Sequence, residues 1–193
     1  MGKKLLREFY SRNTLTVARE LLGKHIVRKT AKGIMRGVIV ETEAYAGIFD
    51  PASHTFKNKQ TERTKIWYEA GGYAYVYQIH GIYFCLGITA EKESVPGAVL
   101  IRAVKPIEGI ELMKEYRAET GRGKSTKYSL ENLTSGPSKF CMAFDINKEC
   151  DNTDLCISDE FYLDDVDILI PISDIVFAPR INVDYAGRGA IYH

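Results

Sequence analysis

The feature that most restricts this chain is a succession of strand-like runs with little room for helices between them. Residues 25–29, 34–45, 73–79, 83–89 and 98–104 are rich in Val, Ile, Tyr and Thr, residues that suit a pleated, half-buried surface. Parallel strands need crossovers of a dozen or more residues, usually helical, and few of these gaps carry a full helical pattern. The expected fold is therefore α+β: a single mixed domain over residues 1–193, with a largely antiparallel curved sheet and peripheral helices.

Three helices are expected around that sheet. Over 13–23, Asn13 or Thr14 opens the helix, Leu15, Ala18 and Leu22 line one face and Gly23 stops it. A second covers 107–118, with Ile110, Met113 and Arg117 in register. A third opens at Ser135-Gly136-Pro137, where proline suits a first turn. Residues 161–183 read as short strands broken at Pro171 and Pro179.

Composition narrows the class. A chain of 193 residues with 45% hydrophobic content can bury a core without a metal or disulfide. No apolar run reaches the length of a membrane span. The opening Met-Gly-Lys-Lys-Leu-Leu lacks the apolar stretch and cleavage site of a signal peptide. A cytoplasmic location follows as the expectation. Cys85, Cys141, Cys150 and Cys156 form no Cys-x-x-Cys pair and the four histidines are scattered, so no structural metal is expected. Net charge is only +1, yet residues 1–40 hold ten Lys/Arg against two Glu, whereas 141–174 hold ten Asp/Glu against one Lys. Such asymmetry suits a surface that meets a polyanion, and equally two regions that neutralise each other across the fold.

Two strands carry chemistry. Strict alternation along 38–45 puts Val38, Val40, Thr42 and Ala44 on one face and Ile39, Glu41, Glu43 and Tyr45 on the other. Two carboxylates on a core-like strand are costly unless solvated, paired or functional; an edge strand with a wet face would also accommodate them. Along 73–80, Tyr73, Tyr75 and Tyr77 share a face, either as sheet packing or as a stacking platform for a base. Gly121-Arg122-Gly123-Lys124-Ser125 imitates the end of a phosphate-binding loop, but the required first glycine would fall at Ala118 and a helix precedes it. A basic surface loop is expected there instead.

Five motifs occur in one order: Val-Glu-Thr-Glu-Ala-Tyr (40–45), Asp50-Pro51-Ala52-Ser53-His54, Tyr75-Val76-Tyr77 with Gly81-Ile82-Tyr83, Leu100-Ile101-Arg102-Ala103, and Leu133-Thr134-Ser135-Gly136-Pro137-Ser138-Lys139. This string resembles the alkyladenine (3-methyladenine) DNA glycosylase family across nearly the whole chain. The resemblance implies a monomeric enzyme that binds duplex DNA containing damaged purines, flips out one nucleotide and cuts its glycosidic bond with water, without metal or cofactor. It implies Glu43 as the general base and Arg102 as the residue holding water and carboxylate. Tyr45 and Tyr77 are implied as aromatic walls, and His54 and Ala52 as base contacts. Tyr75, Ser135, Gly136, Ser138 and Lys139 are candidate contacts to the DNA backbone: a helix opening at Ser135-Gly136-Pro137 can present N–H groups to a phosphate, and equally be a plain helix cap. Glu41 receives only a structural pairing.

The sequence departs from the family pattern in several places. His80 stands where a tyrosine wedge is usual, and Gly87 where an asparagine crowds the 2-amino group of guanine. Residues 62–68, including Trp67, differ from the usual Arg-Asn and Met-Phe pattern, and the chain stops at Ile191-Tyr192-His193, where relatives run on for a few residues. His80 and Gly87 keep an alternative open, a non-catalytic DNA-damage-binding protein on the same fold. A general nucleic-acid binder is a third reading, though it would have no use for a carboxylate facing two tyrosines.

Overall fold

The structure is a computed structural model describing residues 2–120 and 128–191, with side chains through residue 187. The expected loop at 121–125 and the final two residues lie outside the described residues. Among those described, the strands are β1 (Lys3–Lys4), β2 (His25–Thr30), β3 (Gly33–Tyr45), β4 (Ala74–Ile79), β5 (Tyr83–Ala90), β6 (Gly97–Glu108) and β7 (Phe161–Asp165). They form one curved sheet in the order β1-β7-β2-β3-β6-β5-β4, every pairing antiparallel. The helices are α1 (Arg7–Tyr10), α2 (Thr14–Leu21), α3 (Ile110–Thr120), α4 (Leu130–Leu133) and α5 (Pro137–Ala143). The expected α+β class is the one observed. Residues 161–183 differ from expectation: only Phe161–Asp165 is a strand, and a single 3-10 turn at Ile172–Asp174 follows Pro171.

Local chemistry accounts for the helices. The Asn13 side chain caps α2 by accepting the N–H groups of Leu15 and Thr16. Its buried stripe is Thr14, Val17, Ala18 and Leu21, the i, i+3, i+4, i+7 pattern of an amphipathic helix. This corrects the expected Leu15/Ala18/Leu22 face: Leu15 is 44% exposed. α5 starts with Pro137 after Gly136, whose φ of 116° an L side chain rarely adopts. The main core joins α2, α3 and α5 to the strands through Val17, Leu21, Met113, Phe140, Phe144, Ile39, Val76, Ile101 and Leu163 among others.

The terminal charge blocks meet. Lys4 pairs with Asp159, Lys24 with Asp165, Arg36 with Asp164 and Arg7 with Asp154. Four of the ten N-terminal cations are thus spent on the acidic C-terminal block, which supports neutralisation across the fold over a dedicated polyanion surface.

Pairing of β3 with β6 slips and then recovers. Ile39 faces Val104 and Glu41 faces Ala103, so Val40 is an extra residue on β3; Thr42 then faces Ile101, making Arg102 the extra residue on β6. One inserted residue reverses the side-chain parity of a strand. Met35 and Ile39 point into the core before the slip, and Ala44 after it. The expected faces are therefore half wrong: Ile39 is 1% exposed and Val40 is 51% exposed. Glu41, Glu43 and Tyr45 do share the opposite face.

A first irregularity lies at Arg36/Gly37, where a Cβ on Gly37 would fall 2.3 Å from Val104 Cγ1 and 2.9 Å from the Lys105 carbonyl oxygen. Gly37→Ala should therefore destabilise the fold by about 1–3 kcal/mol, read from urea unfolding; a variant as stable as the parent would contradict this close strand approach.

Candidate active site

Alternation along the central strands separates two environments. Ala74 and Val76 of β4 enter the main core, while Tyr75 and Tyr77 point the other way into an aromatic cluster with Trp67. Gly87 of β5, Ala98 and Leu100 of β6 and Tyr45 of β3 lie beside these tyrosines on a cavity of about 110 Å³. Ala52, His54 and Trp67 line it from the connection between β3 and β4, and Val183 and Tyr185 from the C-terminal segment. A larger groove of about 700 Å³ runs between α2, β3 and residues 170–178; its lining is largely apolar and holds none of the expected site residues.

The connection carrying Ala52 and His54 is tied down at its start. Gly47 has φ 72°, and a Cβ there would lie 2.0 Å from the Pro96 carbonyl oxygen, so glycine is required. Asp50 then accepts the backbone N–H groups of Ala46 and Ala52, both at 3.0 Å.

The cavity walls are edge-to-face aromatics. The His54 ring meets Tyr77 at 5.0 Å and 83°, and Trp67 meets Tyr75 at 5.2 Å and 87°, geometries favoured by the ring quadrupoles. His54 Nδ1 and the Tyr75 hydroxyl are 2.9 Å apart and share a proton whose owner depends on the imidazole tautomer. Burial, reinforced by the cations Arg63 and Lys59, lowers the His54 pKa to about 4. Burial also raises Tyr77 well above its ordinary range and Tyr75 to about 12. Near neutral pH these walls present uncharged rings.

The carboxylate sits behind one of them. Glu43 is 1% exposed. Its Oε2 accepts the Tyr45 hydroxyl at 2.8 Å, and its Oε1 accepts the Ile181 N–H at 3.0 Å. Arg102 Nη1 stands 3.3 Å from Glu43 Oε1, and its Nε donates to Glu41 Oε1 at 3.2 Å. One guanidinium thus spans two carboxylates, and both register slips are what place it there. Burial first, then the neighbouring Glu43, raises the Tyr45 pKa far above the phenol range, so the hydroxyl keeps the proton it donates. A carboxylate offers about four acceptor positions, and these contacts occupy three; with Glu43 only 1% exposed, a water takes the fourth only if a neighbour gives way.

The remaining expected residues lie elsewhere. His80 is exposed in the β4–β5 turn, with φ 50° and the Ile82 N–H donating to the Ile79 carbonyl. Ser135 bridges to Ala103 beside the start of α5. Gly136 caps that helix, Ser138 neighbours the Cys85 thiol and Lys139 donates to Asn132 Oδ1. Tyr75, expected at the DNA backbone, is 1% exposed and lines the cavity. Tyr73 does not join the other tyrosines: the Arg7 guanidinium stacks on its ring at 4.5 Å. Sequence reasoning gave no role to Trp67, Asp50, Arg180, Val183 or Tyr185. The lone tryptophan beside a tyrosine-rich strand was the available signal for Trp67; nothing local links Asp50 to Arg180, its partner 130 residues away.

His54 supplies a pH test. Its folded pKa of about 4 lies below the ordinary 6.5, so the unfolded chain binds the extra proton between these values. Its contribution to stability is complete above pH 6.5 and is lost as pH falls toward 4. Denaturation midpoints measured across that window should decline with a one-proton component that His54→Asn lacks; an NMR titration placing His54 at 6.5 or above would refute the buried, neutral assignment.

Comparison with known proteins gives the family. Residues 8–192 match the family model for methylpurine-DNA glycosylase (MPG). The chain is 47% identical over 190 residues to a Clostridium novyi protein named "Putative 3-methyladenine DNA glycosylase", covering 98% of this chain and 92% of the relative. A Clostridium acetobutylicum protein of the same name is 46% identical over 189 residues, covering 98% and 91%. One from Alkaliphilus oremlandii is 47% identical over 183 residues, covering 95% and 89%. With a family match over almost its whole length and these identities, the chain belongs to the methylpurine-DNA glycosylase family.

Proposed function

We propose that the protein is a monofunctional DNA glycosylase that flips alkylated purines of the 3-methyladenine type out of duplex DNA and hydrolyses their glycosidic bond. The observation that carries this reading is the Glu43 carboxylate, buried and hydrogen-bonded to the hydroxyl of Tyr45, which itself walls the aromatic cavity. A flipped base stacks between Tyr45 and Tyr77. An alkylated purine is cationic, and uncharged phenol faces attract it through their quadrupoles. Such stacking, about 1–3 kcal/mol per base, offsets much of the cost of unstacking, a few kcal/mol.

In the chemical step, water held by Glu43 and Arg102 adds its oxygen to C1′ as the C1′–N bond breaks. The bonding pair goes to the base nitrogen, neutralising the cationic leaving group, and the proton of the water passes to Glu43. The carboxylate also stabilises the oxocarbenium character that develops on the sugar. Among the described residues no lysine lines the cavity, which supports water as the nucleophile. His80 fills the gap left in the duplex, a role its exposure at the turn supports, and the residues around Gly136 meet a phosphate.

A second reading is a damage-binding protein without catalysis. It is favoured by the closure of Glu43 itself, which water reaches only if a neighbour gives way. Single-turnover assays on duplexes carrying methylated purines, hypoxanthine or ethenoadenine separate the two. The glycosylase reading expects free 3-methyladenine or 7-methylguanine to be released, and Glu43→Gln to slow release by at least about 10²-fold while duplex binding persists. Binding without release on every substrate would favour the second reading, and wild-type rates in Glu43→Gln would refute the mechanism.

Gly87 bears on lesion choice. A Cβ there would lie 3.3 Å from Tyr75 Cδ1, so a larger side chain fits only by projecting into the cavity. Gly87→Asn should lower excision of guanine lesions relative to adenine lesions by roughly tenfold; an unchanged ratio would remove Gly87 from discrimination.

A further inference from the structure

A second buried ion pair, separate from Glu43 and Arg102, stacks on the aromatic wall and is followed in the chain by a backbone donor to the carboxylate. Arg180 and Asp50 have side chains only 0% and 1% exposed. Arg180 Nη1 donates to Asp50 Oδ2 at 2.8 Å and Nη2 to Asp50 Oδ1 at 2.7 Å, a bidentate pair. Nη1 also donates to the Ala44 carbonyl at 2.8 Å. The guanidinium carbon lies 4.5 Å from the centroid of the Tyr45 ring. The next residue, Ile181, gives its N–H to Glu43.

Stability alone does not account for this pair. Removing two charges from water costs about as much as their attraction returns, and well-packed apolar residues often do as well. What a planar bidentate fork adds is fixed geometry. Here it fixes one face of Tyr45, the carbonyl between Glu43 and Tyr45, and the register that brings the Ile181 N–H onto Glu43. Arg180 does not line the cavity, so the opposite face of Tyr45 is the one left for a base.

We propose that Asp50 and Arg180 are positioning residues for base excision, holding the Glu43 carboxylate and the Tyr45 ring in one mutual geometry without touching base or water. This rests on the glycosylase reading and adds to it the device that sets the angle between acid and wall.

The test compares the parent with Asp50→Asn/Arg180→Met, which leaves no unpaired buried charge, and with Arg180→Lys, which keeps the charge but loses the fork. Three quantities are read: the urea midpoint, affinity for undamaged duplex, and the single-turnover rate on a 3-methyladenine duplex at saturating protein. The expected double variant has a parent-like midpoint and undamaged-duplex affinity, with a rate reduced about 10²-fold. A loss of less than about tenfold in a variant of parent-like stability would overturn the assignment, as would a rate that falls only in step with stability. Should the double variant fail to fold, Arg180→Lys is judged by the same criteria. A parent that releases no base fails the glycosylase reading itself and takes this inference with it; an active parent matched by its variants fails the positioning role alone.

Discussion

The site depends on a carboxylate kept inside the protein. Glu43 can be buried because three donors from three places in the sequence converge on it: Arg102 across the sheet, the Tyr45 hydroxyl two residues on, and the Ile181 N–H from the C-terminal segment. An isolated ionised carboxylate in such surroundings would be prohibitive. The price is met by the paired slips of β3 and β6, which turn Glu43 off the core face and give Arg102 no register partner of its own. The placement of the carboxylate and the irregularity of the strands are here one feature.

A consequence is that charge and aromatic surface are segregated. Glu43, Arg102, Asp50 and Arg180 lie behind or beside Tyr45, with Glu41 beyond them on Arg102, whereas the cavity itself is walled by phenols, an indole and a neutral imidazole. A planar cation entering the cavity meets ring faces, with the Glu43 carboxylate held behind Tyr45 and outside the lining. That separation suits a flat, cationic ligand held by its faces.

Much of the fold could be read from residues, and the reasons it could are local. Strand runs and their spacing give the antiparallel sheet because neighbouring elements were too close for crossovers, and Asn13 and Pro137 mark helix starts through capping chemistry. Faces were read less well. Strict alternation mistook Ile39 and Val40 because a bulge leaves no signature in the residues it displaces. The same limit applies to the site. Glu43, Tyr45, Tyr77 and His54 stand in short motifs, whereas the Asp50–Arg180 pair is made by tertiary closure alone. Charge counting pointed two ways, and the ion pairs between the chain's ends show that a basic block can be consumed internally.

The most direct measurement is a crystal structure with duplex DNA bearing a pyrrolidine abasic nucleotide, a cationic mimic of the sugar in the transition state, soaked with a free alkylpurine. The account predicts the pyrrolidine nitrogen in reach of the Glu43 carboxylate, at about 3–3.5 Å or through one water, with the purine between Tyr45 and Tyr77. A carboxylate still closed off by Tyr45 and Ile181, with the pyrrolidine and purine bound outside those rings, would contradict it.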